Sequence, residues 1–326
     1  MDQEGFREML RKRKLADEKI EASILLAERF EAYISASGGK PDADTTWAFC
    51  KLLIQEEQNT YDNLLTLARY GRFIKNNEIY IAVLELLDGE EAQRNLYQKV
   101  GERFGGSVRD EVFAGIGLAP LGIPTPEKPG FLFPVIDRLI DQVGQREVER
   151  LLSACLRDLP DEYFRNERRK YLKSRDIDDY LVKKHRSFVR WIRKCQREGE
   201  LFFAQEITDD VVKLVRENQE IESGVRDGNL VYVTKIPYNA KDYLAETDPT
   251  LKRYYACHCP WARAAIKGGE ASLNAAFCNC SGGFHKKPWE VIFRQTLEVE
   301  VLESVLRGDT RCRFAIHLPE KLEIAS

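Results

Sequence analysis

Leu297-Glu298-Val299-Glu300-Val301-Leu302-Glu303-Ser304-Val305, then Gly308-Asp309, then Cys312-Arg313-Phe314-Ala315-Ile316-His317-Leu318 places two alternating runs on either side of a turn signal. Successive side chains of a strand point to opposite faces, so Leu297, Val299, Val301 and Val305 share one face. Cys312, Phe314, Ile316 and Leu318 share the facing one, and Gly308-Asp309 suits a tight II′ turn between them. The pattern predicts an antiparallel C-terminal hairpin. Parity also puts Glu303 on the apolar face, where a carboxylate must be paired or protonated and becomes a candidate acid/base. The alternative is a bulge that returns Glu303 to solvent. Arg311 and Arg313 fall on the other face, within reach of Glu298 or Glu300.

Upstream of the hairpin, Leu230-Val231-Tyr232-Val233-Thr234 is β-branched and aromatic and predicts another strand. Thr208 is placed to cap a helix running toward Glu222, with Gly224 as its stop. Before that point the texture is helical. Ile20, Ile24, Ala27 and Phe30 recur at helical spacing up to Gly38-Gly39. The Gly/Pro-rich segment Gly115 to Gly130 reads as a long loop. Leu132, Val135, Ile136, Leu139, Ile140 and Val143, then Gly144, then Val148, Leu151, Leu152, Cys155 and Leu156 form an αα-hairpin signature. From Asp176 to Arg197, Leu181, Phe188, Ile192 and Cys195 line one side of a helix. Lys183, Arg186, Arg190, Arg193 and Arg197 line the other, as a solvated face or a docking stripe for an anionic partner. The fold class is α+β: a helical domain over residues 1–205, then a smaller α+β domain over 206–326.

A chain of 326 residues suits two domains, and 43% hydrophobic with 10% aromatic residues suffices for packed interiors. The net charge of −3 gives no overall pull toward nucleic acid or anionic lipid. Nothing approaches the roughly 20 apolar residues of a membrane span, and Met1 to Lys14 lacks a secretory core. The expectation is a soluble cytoplasmic protein in a reducing compartment, where clustered cysteines favour metal or thiol chemistry over structural disulfides. No Walker loop, G-x-G-x-x-G fingerprint, G-x-S-x-G elbow or H-E-x-x-H motif is present, which disfavours nucleotide-dependent, serine-hydrolase and zincin chemistry.

Four of the eight cysteines form two C-x-C pairs, Cys257-His258-Cys259 and Cys278-Asn279-Cys280. Zinc takes about four soft or borderline ligands, and Cys257, Cys259, Cys278 and Cys280 supply such a set, with His258 and His285 as substitutes. On an extended backbone a C-x-C pair sends both sulfurs to one face. Pro260 suits the first position of a helix over Trp261–Ile266, so Cys259 would cap it and its thiol pKa would fall. Ser281-Gly282-Gly283 reads as a turn whose free amides face a thiolate or an anion. Three readings stand side by side: a structural zinc site, a reactive thiol or thiol-metal active site, and small buried hydrophobes or an incidental disulfide. Among the histidines, His285 is the candidate for the site. His185 reads as a core histidine and His317 as surface. Tyr232, Tyr238, Tyr243, Tyr254 and Tyr255 read as pocket lining or core.

The run Trp289-Glu290-Val291-Ile292-Phe293 into Leu297–Ser304, with Gly308-Asp309 and Cys312-Arg313-Phe314, resembles the end of the 4-vinyl reductase-like small-molecule-binding domain. The Cys257–Cys280 segment is similar to the cysteine-bearing region of proteins grouped with L-2-amino-thiazoline-4-carboxylic acid hydrolases. The resemblance covers the last third of the chain. It implies an α+β module for a small organic ligand, an acid among the options, with Cys312 and Glu303 facing a pocket beside the cysteine pairs. The doubled C-x-C arrangement departs from the hydrolase pattern and implies a filled metal site. The resulting expectation is a small-molecule-binding protein with a structural zinc site. The alternative is a thiol- or metal-dependent hydrolase of a small cyclic amide or thiazoline-like substrate. In it Cys259 or Cys280 is nucleophile or metal ligand, Glu303 acid/base and His285 a helper.

Overall fold

The structure, a computed structural model, describes residues 1–154, 156–269 and 274–320. Cys155, placed on the second stripe of the αα-hairpin, lies outside them. The fold is α+β, as expected. Contacts divide the chain into two units, Met1–Glu90 with Leu118–Lys128, and Glu91–Gly117 with Pro129 onward. Residue 205 falls inside the second unit.

The first unit is helical: Gln3–Lys12, Asp17–Ser37, Ala43–Gln55, Tyr61–Phe73 and Asn77–Leu87. Asp2, Asp42, Thr60 and Asn76 each accept the amide three residues on, which satisfies one orphan donor per helix start. Ile20, Ile24, Ala27 and Phe30 are buried as their spacing predicts. Phe30 meets Phe49 at 5.0 Å and Phe6 meets Tyr70 at 5.6 Å. The returning segment is tied in by Lys128, whose buried Nζ donates to the carbonyls of Glu85 and Leu86 at 3.0 and 3.1 Å. Those carbonyls close a helix, where unpaired acceptors and the negative end of the macrodipole favour a cation.

In the second unit the αα-hairpin forms over Lys128–Val143 and Gln145–Leu152, broken at Gly144, whose φ of +87° suits glycine. The basic helix runs Ile177–Glu198, capped by Asp176, with Leu181, Ile192 and Cys195 buried and Lys183, Arg186, Arg190, Arg193 and Arg197 exposed. A four-stranded antiparallel sheet follows: β1 (Val225–Asp227), β2 (Leu230–Thr234), β3 (Val299–Glu303) and β4 (Arg313–His317), in the order β1-β2-β4-β3. The helix starting after Thr208 is capped by it but ends at Glu217, short of Glu222.

The β3–β4 hairpin is present, but its connection differs from a two-residue turn. Ser304 accepts the amide of Leu306 and starts a 3₁₀ turn over Val305–Arg307, and Asp309 Oδ2 takes the Ser304 amide at 2.8 Å. Val305 therefore leaves the strand. A register shift between Val301 and Glu303 also breaks the parity that would have put Glu303 on the apolar face. Glu303 instead takes both donors of Arg311, at 2.6 and 2.7 Å, and Arg313 reaches Glu220 at 2.6 Å rather than Glu298 or Glu300. The sheet and two helices share one core: Tyr180 and Leu181 from the basic helix, Trp289 and Ile292 from the helix Cys278–Phe293, and Val231, Val233 and Ile316 from the strands.

Candidate functional site

The helix Cys278–Phe293 lies so close to the sheet that a Cβ on Gly282 would stand 3.3 Å from both γ-methyls of Val299 and 3.6 Å from Phe314. That approach selects glycine at 282 and explains why Ser281-Gly282-Gly283, read as a turn, is helical. Cys278 and Cys280 consequently occupy the first helical turn. At about 100° per residue, positions two apart diverge by about 200°, so this pair cannot present both sulfurs to one point as an extended C-x-C would. Cys257 follows the helix Pro249–Ala256 in extended backbone. Cys312 immediately precedes β4, where its carbonyl takes the Lys235 amide at 3.0 Å.

Sulfurs from all three segments come within electrostatic reach of one another. Cys312 is the first charged neighbour acting on both Cys257 and Cys278, and Cys257 also acts on Cys278. Cys259 couples to Cys257, Cys280 and Cys278. Every described cysteine is a free thiol, and Cys259, Cys278, Cys280 and Cys312 are half-buried. Burial dominates their acidity. It pushes Cys257 up to about 11, aided by Cys312, and it raises Cys259, Cys278 and Cys312 as well. The expected fall at Cys259 is reversed because the helix starts later, at Arg263, and is only six residues long, so no dipole offsets the desolvation.

Hydrogen bonds aimed at the sulfurs oppose burial. The Ser304 hydroxyl donates to Cys278 Sγ at 2.9 Å. Main-chain bonds from Trp261 and Val305 reach Cys259 and Cys312, whereas the Cys257 thiol itself donates to the Cys259 carbonyl at 4.0 Å. Donors so placed favour thiolates once something pulls the protons away.

Two histidines border the sulfurs. His258 Nε2 lies 2.6 Å from the Ile236 carbonyl, which only accepts, so Nε2 carries the proton. Burial, then Lys235, holds the ring neutral, which leaves Nδ1 with a lone pair. His285 stacks on Phe314 at 5.1 Å, is 9% exposed, and its Nε2 has no hydrogen-bond partner. His185 is half-buried against the Arg216 carbonyl, and His317 pairs with Glu300. The five tyrosines are half-buried, and Tyr238 and Tyr254 flank the Arg263 guanidinium at 4.1 and 5.4 Å.

Sequence reasoning missed three groups. Lys235 donates to Ser281 at 3.2 Å and acts on Cys257, Cys278, His258 and His285. Lys184 sits on the inward side of the basic helix, spaced three and four residues from Leu181 and Tyr180, with Nζ 5.8 Å above the Trp289 ring. Its helical spacing was a usable signal. Glu222 has φ +58°, accepts the Ile236 amide at 3.0 Å, and burial raises its carboxyl despite both lysines. No periodicity marks it. Glu303 is the opposite case: Arg311 holds it below the usual carboxylate range, unsuited to deliver a proton near neutral pH.

The donor chemistry fits a soft ion, with five thiols, three sulfur-directed hydrogen bonds and a fixed imidazole tautomer. The geometry is not a closed cage: among the described residues no three His, Cys, Asp or Glu side chains are already arranged to hold a metal. Nor is any helix among them long and apolar enough to cross a membrane. Comparison with protein families, characterised proteins and solved structures finds no match to this chain.

Proposed function

We propose that this protein binds a small organic molecule beside a cysteine-rich zinc site, in the reducing setting of the cytoplasm. The observation that carries the reading is the electrostatic coupling of five thiols from three separate segments, three of them receiving hydrogen bonds at sulfur. Cys257, Cys278 and Cys312, with Cys259, would hold the ion. Cys312 replaces Cys280 in the set drawn from the two C-x-C pairs, since Cys280 diverges from Cys278 on the helix. When bound, zinc would neutralise the thiolates and tie the three segments together. The resemblance to the 4-vinyl reductase-like module agrees with a helix and sheet enclosing such a site.

A second reading, a thiol- or metal-dependent hydrolase, draws on one observation: a half-buried carboxyl with raised proton affinity, Glu222, feels Lys235, which also acts on Cys257 and Cys278. In that case Glu222 takes the acid/base role first given to Glu303. Elemental analysis of protein purified without added zinc tests the preferred reading. It requires about one ion per chain, lost in Cys278→Ser and in Cys312→Ser. A content well below that, with all thiols freely titratable, refutes it.

A further inference from the structure

We propose that Lys184 and Lys235, together with His285 Nε2, form a subsite for the carboxylate of a small, apolar-bodied acid next to the sulfur cluster. It rests on the small-molecule reading above, but not on the metal.

Neither lysine has an ion-pair partner among the described residues. Lys184 has only the Trp289 face beneath it, and Lys235 donates to the neutral Ser281 hydroxyl. Both lysines act electrostatically on both Glu222 and His285, so the four groups share one region. His285 Nε2 is the third polar atom, more than nine-tenths buried and without a partner. Half-buried ammonium groups beside a buried ring nitrogen carry a desolvation cost unless something answers them. Glu222 answers one charge from a distance, since no ion pair joins it to either lysine, and Ile236 already occupies one of its oxygens.

Glu167 also acts on Lys184 but is already bridged by Lys170 and the Tyr180 hydroxyl, so the two lysines against Glu222 leave a single positive charge. That balance favours a monoanion over a doubly charged phosphate, which would leave net negative charge in a desolvated site. The surroundings favour a planar or apolar body, because Trp289 lies under Lys184 and Phe314 stacks on His285. Lys235 also acts on Cys257 and Cys278, so the subsite adjoins the sulfurs.

The test is calorimetric titration of benzoate into the full chain stripped of metal at low salt, with inorganic phosphate as comparison. Saturable benzoate binding is expected, weakened at least about tenfold by Lys184→Met and by Lys235→Met, the scale of one lost charged hydrogen bond. Lys183→Met, exposed on the same helix and paired with Asp179, should leave it unchanged. Unchanged binding by the Lys184→Met and Lys235→Met variants overturns the subsite, and tighter binding of phosphate than of benzoate overturns the carboxylate assignment. Should a variant lose its cooperative melt, benzoate protection of Lys184 and Lys235 from reductive methylation decides on the unaltered chain. Absence of protection also overturns the subsite. Metal content in the same variants separates the two proposals. Zinc retained with benzoate lost supports the subsite by itself, whereas benzoate binding in a chain that never takes up zinc upholds it and refutes only the metal site.

Discussion

Replacing Gly282 with alanine sets two known effects against each other at the contact that seats the cysteine-bearing helix. Alanine in a helix interior is about 0.8–1.0 kcal/mol better than glycine. Here, however, the new Cβ would meet both γ-methyls of Val299 at 3.3 Å and Phe314 at 3.6 Å. Phe314 is fully buried, so it has little room to yield. Overpacking a closed contact costs about 1–3 kcal/mol. The net expectation is a loss of about 0–2 kcal/mol rather than a gain, read as a lower denaturant midpoint with unchanged slope. Val299→Ala removes the opposing methyls, so in that background Gly282→Ala should recover the full helical gain. The double-mutant cycle should then give a coupling of about 1–3 kcal/mol. Cys278 and His285 flank Gly282 on the same helix, so zinc content should fall in the single variant and return in the double one. If Gly282→Ala alone stabilises by about 1 kcal/mol, the close approach is absent and the seating argument fails.

Other outcomes follow from the site. With metal removed, Cys257, pushed by burial and then by Cys312 from 9.0 up to about 11, should alkylate at pH 8 about a hundredfold slower than a peptide thiol; peptide mapping after iodoacetamide reads this, and equal rates would contradict the burial. Ser304→Ala removes both the hydroxyl on Cys278 and the acceptor for the Leu306 amide, and should cost about 1 kcal/mol in chemical denaturation while weakening zinc retention. Unchanged retention would show that the hydroxyl does not serve the sulfur. Glu303 has a folded-state pKa depressed by Arg311, so its contribution is present above the unfolded value and lost as pH falls through the folded one. Glu303→Gln should therefore flatten the acid side of the stability profile and leave hydrolytic activity, if any is found, without a change in pH optimum. A shift of that optimum would return Glu303 to the acid/base role.

Much of the architecture was legible because local chemistry and tertiary packing agree. Asp176 and Thr208 cap helices where their short side chains reach an amide three residues on, and Leu230–Thr234 is a strand because β-branched residues suit a half-buried pleat. Val225–Asp227 escaped notice because three residues, two of them charged, carry no alternation. Parity failed at Glu303 because one bulge inverts every face beyond it. The clustered cysteines do come within electrostatic reach of one another, but the way their sulfurs are aimed was not legible. That depends on Gly282, which reads as a turn residue and is in fact a helix residue chosen for its missing side chain. Lys184 and Glu222 belong to the site only through folding, since more than thirty residues separate them from one another in sequence.

The central strand β4, and Cys312 just ahead of it, come last among the parts that close the sulfur cluster. During synthesis at about 5–20 residues per second, Cys257 emerges about 3–11 s before Cys312. For that interval four thiols wait without the partner that completes them and without the strand that shields them. Newborn chains thus expose those four thiols for seconds before Cys312 and β4 can cover them.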